Sequence, residues 1–168
     1  GKYTTYRSIS KKAVDKLTTA SVIDTIISQS NTKKTQFIGH LKDEDWPSES
    51  QIDQLVRQYH INRDSLMHLM ETYGALYKNI LQLTLYDESL AARIDLSLPI
   101  ITGELQYAIT NEWVKSISDF LFRRTYYGYL YHENNDFLKA LIRAYKAMSK
   151  TEDDEETLHN KIKSETRL

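Results

Sequence analysis

The stretch Asp119-Phe120-Leu121-Phe122-Arg123-Arg124-Thr125 places two adjacent arginines in a strongly apolar segment. The pattern predicts a helix with no polar face, and such a helix is usually buried on most sides. Guanidinium groups keep their charge when buried, so they need carboxylates or carbonyls close by. We therefore expect at least one of these arginines to be buried in an ion-pair network that fixes how helices or domains meet. The expected members are Glu104, Glu112, Asp119, Arg123 and Arg124. Binding of an anionic ligand is the alternative role for the arginines.

Helical periodicity extends over most of the 168 residues. The chain has only five glycines and two prolines, so turns are few, which argues against an all-β fold. Spacings typical of capping boxes predict helix starts at Ser48, Ser116 and Thr151. Trp113 falls on the apolar face of the helix that begins after Pro99, and Gly74 is expected to end a helix or to allow a close approach of two helices. We predict an all-α domain of about seven or eight helices.

The composition excludes several classes of protein and site. Without cysteine there is no disulfide scaffold and no thiolate metal site. None of the five histidines lies three or four residues from another, and we expect neither a metal site nor a catalytic residue in this chain. The net charge of -1, together with Arg63 offset by Asp64 and Glu71 in the second helix of a possible helix-turn-helix, argues against nucleic-acid binding. No apolar run approaches the roughly 18 residues that span a bilayer.

Two segments resemble one enzyme family. Gly1-Lys2-Tyr3-Thr4-Thr5-Tyr6-Arg7, followed by a basic amphipathic helix, resembles the Gly-Lys-hydrophobic-Thr-x-Tyr-Arg segment of FAD-dependent glycerol-3-phosphate dehydrogenases and oxidases. Residues 99–125 resemble the signature of the helical C-terminal cap of that family, and Tyr73-Gly74 also matches. The matching signature residues are Glu104, Tyr107, Ala108, Glu112, Asp119, Leu121, Arg123, Arg124 and Thr125. Tyr3, where the family often has a smaller aliphatic residue, and the loop at 29–40 depart from the pattern.

The resemblance implies a domain division and a chemistry. Residues 1–7 are expected to be the tail end of an FAD-binding domain, with Gly1, Lys2, Tyr3 and Thr4 next to the flavin, and residues 8–168 the cap domain. In the longer parent, FAD would take a hydride from C2 of glycerol 3-phosphate, giving dihydroxyacetone phosphate, and the electrons would pass to quinone. The other expected partner of this chain is its own upstream FAD domain, and a homo-oligomer is possible. The resemblance implies a cytoplasmic parent that can lie peripherally on the inner face of the membrane.

Two alternatives stay open. The same domain could belong to an oxidase that reduces oxygen, or the chain could be a free-standing helical protein-interaction module. We expect this chain alone to be inactive and to bind no FAD, because the dinucleotide fingerprint of the family lies upstream of residue 1. We also expect few contacts for Gly1–Thr4, and a helix from about residue 6 that packs through Ile9, Ala13 and Leu17.

Overall fold

The computed structural model describes residues 3–19 and 33–166, and the chain divides into two units, residues 1–36 and 37–168. The described residues form eight α-helices and no β-strand beyond one antiparallel bridge between Arg93 and Ile101, which confirms the all-α prediction. The helices are α1 (Tyr6–Thr19), α2 (Glu49–Gln58), α3 (Arg63–Tyr73), α4 (Tyr77–Tyr86), α5 (Thr102–Asn111), α6 (Tyr127–Tyr131), α7 (Asn135–Met148) and α8 (Glu155–Glu165).

The first unit contains α1, which follows a short 3-10 turn at Tyr3–Thr5. The helix begins where the sequence predicts, and Tyr3 is 93% exposed, as expected. Ile9 and Leu17 on its apolar stripe are about half exposed. The packing predicted for this stripe stays a prediction. Its predicted extension, residues 20–27, lies outside the described residues, as do Gly1 and Lys2.

The second unit has two clusters of buried apolar side chains. The first apolar cluster is built mainly by α2, α3 and α4 around Leu66, Leu69 and Ile80. The second is built mainly by α5, α7, α8 and the segment at 117–127 around Phe120 and Phe137. Helix α5 contributes to both, because Tyr107 belongs to the first cluster whereas Leu105 and Ala108 belong to the second. The two clusters therefore meet at α5.

Local hydrogen bonds explain where the helices begin. At α2 the backbone N–H of Ser48 donates to the side chain of Gln51 at 2.8 Å, which confirms the predicted cap. For α8 the predicted cap at Thr151 is wrong, and the helix begins three residues later. Asp154 accepts there from the N–H of Thr157 at 2.7 Å. A carboxylate accepts more strongly than a hydroxyl and also interacts favourably with the positive end of the helix dipole.

The helix of α5 ends at Asn111, and the chain is helical again only from residue 117, as the spacing of Ser116 and Asp119 predicts. The N–H of Ser116 donates to Asp119 at 2.8 Å, and the N–H of Asp119 donates to the Ser116 hydroxyl at 3.1 Å. Residues Asp119–Arg124 form a π-helical turn, which the buried Thr125 closes by donating its N–H to the carbonyl of Phe120 at 3.0 Å.

Gly74, at the end of α3, lies very close to the backbone of the loop at Gly39. It has φ +52°, and a Cβ built on it would lie 1.9 Å from the carbonyl oxygen of Gly39. That same oxygen accepts a hydrogen bond from the N–H of Ala75 at 2.9 Å. Gly74 therefore ends α3 as expected, whereas the close approach is to a loop and not to a second helix as predicted.

We predict that Gly74→Ala lowers the free energy of unfolding by at least about 2 kcal/mol, since it adds a steric clash to a strained φ. Ala75→Gly is the matched control, because it keeps the N–H that donates to Gly39 and costs at most about 1 kcal/mol. Urea unfolding followed by circular dichroism measures both. Equal effects of the two substitutions would contradict this account of the loop contact.

Candidate functional site

Arg123 is paired but not buried. Its guanidinium lies 3.1 Å from Asp119 and 3.6 Å from Glu165, near the end of α8, and its side chain is 53% exposed. The predicted Asp119–Arg123 pair is therefore present. Burial acts to raise the pKa of Asp119, but backbone N–H groups of Lys115 and Ser116 and the charge of Arg123 together hold it below its ordinary value. An ion pair this exposed contributes little to stability.

Arg124 is also exposed, and its Nε donates to the main-chain carbonyl of Glu112 rather than to a carboxylate. The expectation that one arginine of the pair is buried is therefore wrong. The π-helical turn brings Phe120 and Leu121 into the second apolar cluster, where both are fully buried, and leaves both guanidinium groups at the surface. Burial and neighbouring Glu104 raise the pKa of Glu112, against the opposing charge of Arg124.

In the part of the chain that the structure describes, the buried charged residue is Glu104, in the first turn of α5, with no exposed surface. Its Oε1 accepts from the hydroxyls of Tyr73 at 3.0 Å and Tyr127 at 2.8 Å, and its Oε2 lies 3.1 Å from Nε2 of His68. Position in the first turn also places the carboxylate near the positive end of the helix dipole. Every oxygen of this buried group therefore has a polar partner, as a carboxylate in an apolar interior requires.

The Glu104 network, meaning Glu104 with Tyr73, Tyr127 and His68, connects the two apolar clusters. Tyr73 and His68 lie on α3, with Tyr73 in the first cluster, whereas Tyr127, which begins α6, belongs to the second. His68 Nε2 also contacts the Tyr127 hydroxyl, and the two rings lie 5.8 Å apart. The carboxylate on α5 is thus hydrogen-bonded to side chains of two other helices, α3 and α6.

The environment keeps both tyrosines protonated. Burial first, and then the negative charge of Glu104, raise the pKa values of Tyr73 and Tyr127 far above the ordinary range of a tyrosine. Both hydroxyls consequently remain donors to Glu104 over the whole physiological pH range. Their oxygens cannot act as bases there, and the Glu104 carboxylate is enclosed, so the arrangement is suited to holding helices together rather than to proton transfer with a substrate.

Arg93 is less exposed than the other ion-paired arginines of the described residues, Arg63, Arg123 and Arg143. It was not among the candidates predicted from the sequence. Its side chain is 15% exposed, and it contacts Asp64, the Ser65 hydroxyl at 3.2 Å and the Leu96 carbonyl at 3.0 Å. The pairing ties the loop before α5 to the start of α3. Its only sequence signal is an arginine next to Ile94 in an irregular segment, which does not distinguish it from a surface residue.

A groove of about 280 Å³ lies beside the first apolar cluster. Its lining residues are Asp45, Pro47, Gln51, Gln54, Leu55, Gln58, Tyr77 and Lys78, none of which belongs to the Glu104 network. Ligand pockets are lined mostly by apolar side chains, whereas five of these eight residues are Asp, Gln or Lys. The groove therefore lacks the character of a small-molecule site.

The remaining expectations concern cofactor, metal and membrane. Of the residues expected next to a flavin, Tyr3 and Thr4 are exposed in a 3-10 turn, and Gly1 and Lys2 lie outside the described residues. Within residues 3–19 and 33–166, no group of three or more His, Asp or Glu side chains could hold a metal ion. No helix in that same part of the chain is long and apolar enough to cross a membrane.

Comparison with known proteins shows which family model and which proteins this chain is similar to. Residues 30–156 match the family model of the C-terminal domain of alpha-glycerophosphate oxidase. The chain is 24% identical to mitochondrial glycerol-3-phosphate dehydrogenase of Saccharomyces cerevisiae, covering 88% of this chain and 25% of that protein. It is 27% identical to glycerol-3-phosphate dehydrogenase of Mycobacterium leprae, covering 74% of this chain and 20% of that protein. The chain thus spans about a quarter or less of these relatives. No solved structure matches it significantly.

We predict that Glu104→Leu destabilises the domain severely, because two buried hydroxyl donors lose their acceptor at about 1–3 kcal/mol each. Glu104→Gln is the matched control. It keeps one acceptor oxygen for Tyr73 and Tyr127, and we expect it to cost about half as much. Chemical denaturation of the two variants gives both values. A Glu104→Leu protein as stable as the unsubstituted chain would contradict the role assigned to the network.

The raised pKa values of Tyr73 and Tyr127 predict a loss of stability in alkali. Above the pKa near 10 of an unfolded tyrosine, the folded protein binds more protons than the unfolded one, so the free energy of unfolding falls as pH rises. Each group contributes a slope of about 1.4 kcal/mol per pH unit there. Tyr127→Phe should therefore flatten the dependence by about one such slope in urea unfolding between about pH 10 and 11.5. An unchanged slope would show that Tyr127 ionises normally in the folded protein.

Proposed function

Because the chain belongs to the family of the C-terminal domain of alpha-glycerophosphate oxidase, we propose that it is the C-terminal helical domain of an FAD-dependent glycerol-3-phosphate dehydrogenase. The observation that supports this most strongly is the family match across residues 30–156, which includes six of the eight described helices in full. The names of the two relatives point to the same substrate, glycerol 3-phosphate. The parent enzyme is thus an oxidoreductase of glycerol metabolism.

The proposed reaction takes place outside this domain. FAD bound to the upstream domain would supply the acceptor for the hydride from C2 of glycerol 3-phosphate, and a base outside this chain would take the C2 hydroxyl proton, leaving dihydroxyacetone phosphate. The residues of this chain proposed to lie near the flavin are Gly1, Lys2, Tyr3 and Thr4. The exposure of Tyr3 and Thr4 is compatible with contact to a flavin-bearing domain, since neither side chain is committed to a core. A strip this short cannot hold a dinucleotide alone, so the upstream domain is proposed to bind FAD.

The domain itself is proposed to act as a rigid structural partner of the catalytic domain. Its largest buried polar feature, the Glu104 network, is enclosed and leaves no oxygen free for substrate. Glu112, Asp119, Arg123 and Arg124 lie at the surface or only partly buried, where they can contact a neighbouring domain. We propose that the parent lies in the cytoplasm or peripherally on the inner face of the membrane. The yeast relative is named as mitochondrial.

Quinone is the proposed electron acceptor, following the relatives that are named dehydrogenases. Oxygen is the second candidate, because the family model takes its description from an oxidase. The two candidates differ in one product, since reduction of oxygen by two electrons and two protons yields hydrogen peroxide. Among residues 3–19 and 33–166, we identify none that favours either acceptor.

The test uses the full-length parent and this chain side by side. We predict that the purified parent is yellow, binds FAD and oxidises glycerol 3-phosphate with a soluble quinone analogue while producing little hydrogen peroxide. The 168-residue chain should be colourless and inactive. Peroxide formed in step with substrate oxidation would assign the parent to the oxidases. A parent without flavin, or a flavin band that stays with the isolated chain through gel filtration, would contradict the proposal.

A further inference from the structure

Trp113 is held in an unusual position between α5 and the π-helical turn. Its backbone has φ +58°, and its side chain is 78% exposed. The N–H groups of Glu112 and Val114 both donate to the carbonyl of Ala108, at 3.1 and 3.4 Å. This sharp turn brings Val114 into the second apolar cluster, where it is 4% exposed. The turn thus buries the small apolar residue and leaves the large one outside.

Folding of this domain does not account for a tryptophan at position 113. A positive φ favours glycine or asparagine, and for a bulky residue it is a strained conformation. The indole recovers little of that cost, because most of its surface stays in water. One contact steadies it, the ammonium of Lys115 at 5.5 Å from the centre of the ring. A strained backbone that presents an exposed aromatic ring indicates a binding role for the ring.

Further apolar side chains are exposed on a stretch of chain that a hydrogen bond joins to the Trp113 turn. Arg124 donates to the Glu112 carbonyl, and Trp113 and Tyr126 lie one and two residues along the chain from the two residues of this bond. One turn further, the N–H groups of Tyr129 and Leu130 both donate to the carbonyl of Tyr126. We call these four residues the aromatic face: Trp113, Tyr126, Tyr129 and Leu130, each between 55% and 78% exposed.

Tyr129 of the aromatic face packs on a ring of the π-helical turn, and cations lie near Trp113. The ring of Tyr129 stands edge-on to Phe122 with 5.2 Å between centroids, and Gly128 leaves the space that Phe122 fills. Two exposed cations lie near Trp113. The ammonium of Lys115 contacts its ring, and Arg124 donates to the carbonyl of the preceding residue, Glu112. Aromatic residues and arginine are enriched in protein interfaces. The face therefore fits an apolar protein surface with carboxylates or carbonyl oxygens at its edge.

We propose that the aromatic face is the surface through which this domain docks on the remaining part of its own parent protein. The proposal rests on the proposed function, in which this chain is one domain of a longer enzyme. The two relatives are four to five times as long as the segment they share with this chain, so a large partner is available within the same polypeptide. Contacts between domains of one chain commonly bury about 600–1,500 Å² and use such faces. Trp113 is the central anchor of this contact.

The first experiment maps accessibility by hydroxyl-radical footprinting with mass spectrometry, on this chain and on the full-length parent. We expect Trp113, Tyr126 and Tyr129 to be labelled in the isolated chain and to lose that labelling in the parent. Tyr86, which is 89% exposed at the end of α4, is the internal control and should be labelled in both. Equal labelling of Trp113 in the two proteins would overturn the proposal. So would protection of Trp113 in an isolated chain that forms dimers, which would make a second copy the occupant.

The second experiment separates docking from folding with Trp113→Asn. In the isolated chain, asparagine suits the positive φ, so the urea midpoint should stay the same or rise. In the full-length parent, the same substitution should raise the rate at which limited proteolysis releases the domain by roughly tenfold or more, as expected for loss of an aromatic anchor. Tyr86→Asn removes an equally exposed ring elsewhere and should change neither value. A lower urea midpoint for Trp113→Asn in the isolated chain would show that Trp113 serves folding, and would overturn the proposal.

The outcomes also distinguish this inference from the proposed function. A parent that protects Trp113 but binds no flavin, or does not oxidise glycerol 3-phosphate, contradicts the proposed function and supports the docking face. A parent that oxidises glycerol 3-phosphate while Trp113 remains fully labelled supports the proposed function and contradicts the docking face.

Discussion

The burial of one carboxylate constrains the second unit of this protein more than any other single interaction. Glu104 has no exposed surface, and a charge in that position is tolerable only if its oxygens are hydrogen-bonded. The partners come from Tyr73 on one side and Tyr127 on the other, which belong to different apolar clusters. Apolar side chains can slide past one another at small cost, whereas this network is satisfied in one arrangement of the helices. It therefore fixes how the two clusters are placed.

Local features were predictable from the sequence, because they depend on residues close together in the chain. Periodicity gave the all-α class, and the side-chain pairs at Ser48 and Ser116 begin helical segments as expected. The Asp119–Arg123 ion pair could also be predicted, because its members are four residues apart on a helical segment. The cap at Thr151 failed because a carboxylate three residues later is the stronger acceptor.

Long-range contacts could not be predicted in the same way. Glu104 lies 31 residues from Tyr73, 36 from His68 and 23 from Tyr127, and each of these partners fits a local helical pattern on its own. At least one of the signature arginines was expected to be buried because their neighbours are apolar. The π-helical turn instead directs Phe120 and Leu121 inward and leaves Arg123 and Arg124 exposed. Trp113 was placed on the apolar face of a helix because the end of α5 at Asn111 does not follow from periodicity. In each case the missing information was which elements pack together.

The most direct test of this account is native-state hydrogen exchange of the second unit, measured for the unsubstituted protein at increasing low concentrations of denaturant. If the Glu104 network joins the two apolar clusters, the slowest amides of α3 and α4 and those of α7 should exchange with the same free energy of opening, because the clusters unfold together. Two distinct free energies, with one cluster opening while the other stays protected, would contradict the claim that this buried carboxylate makes the two clusters a single cooperative unit.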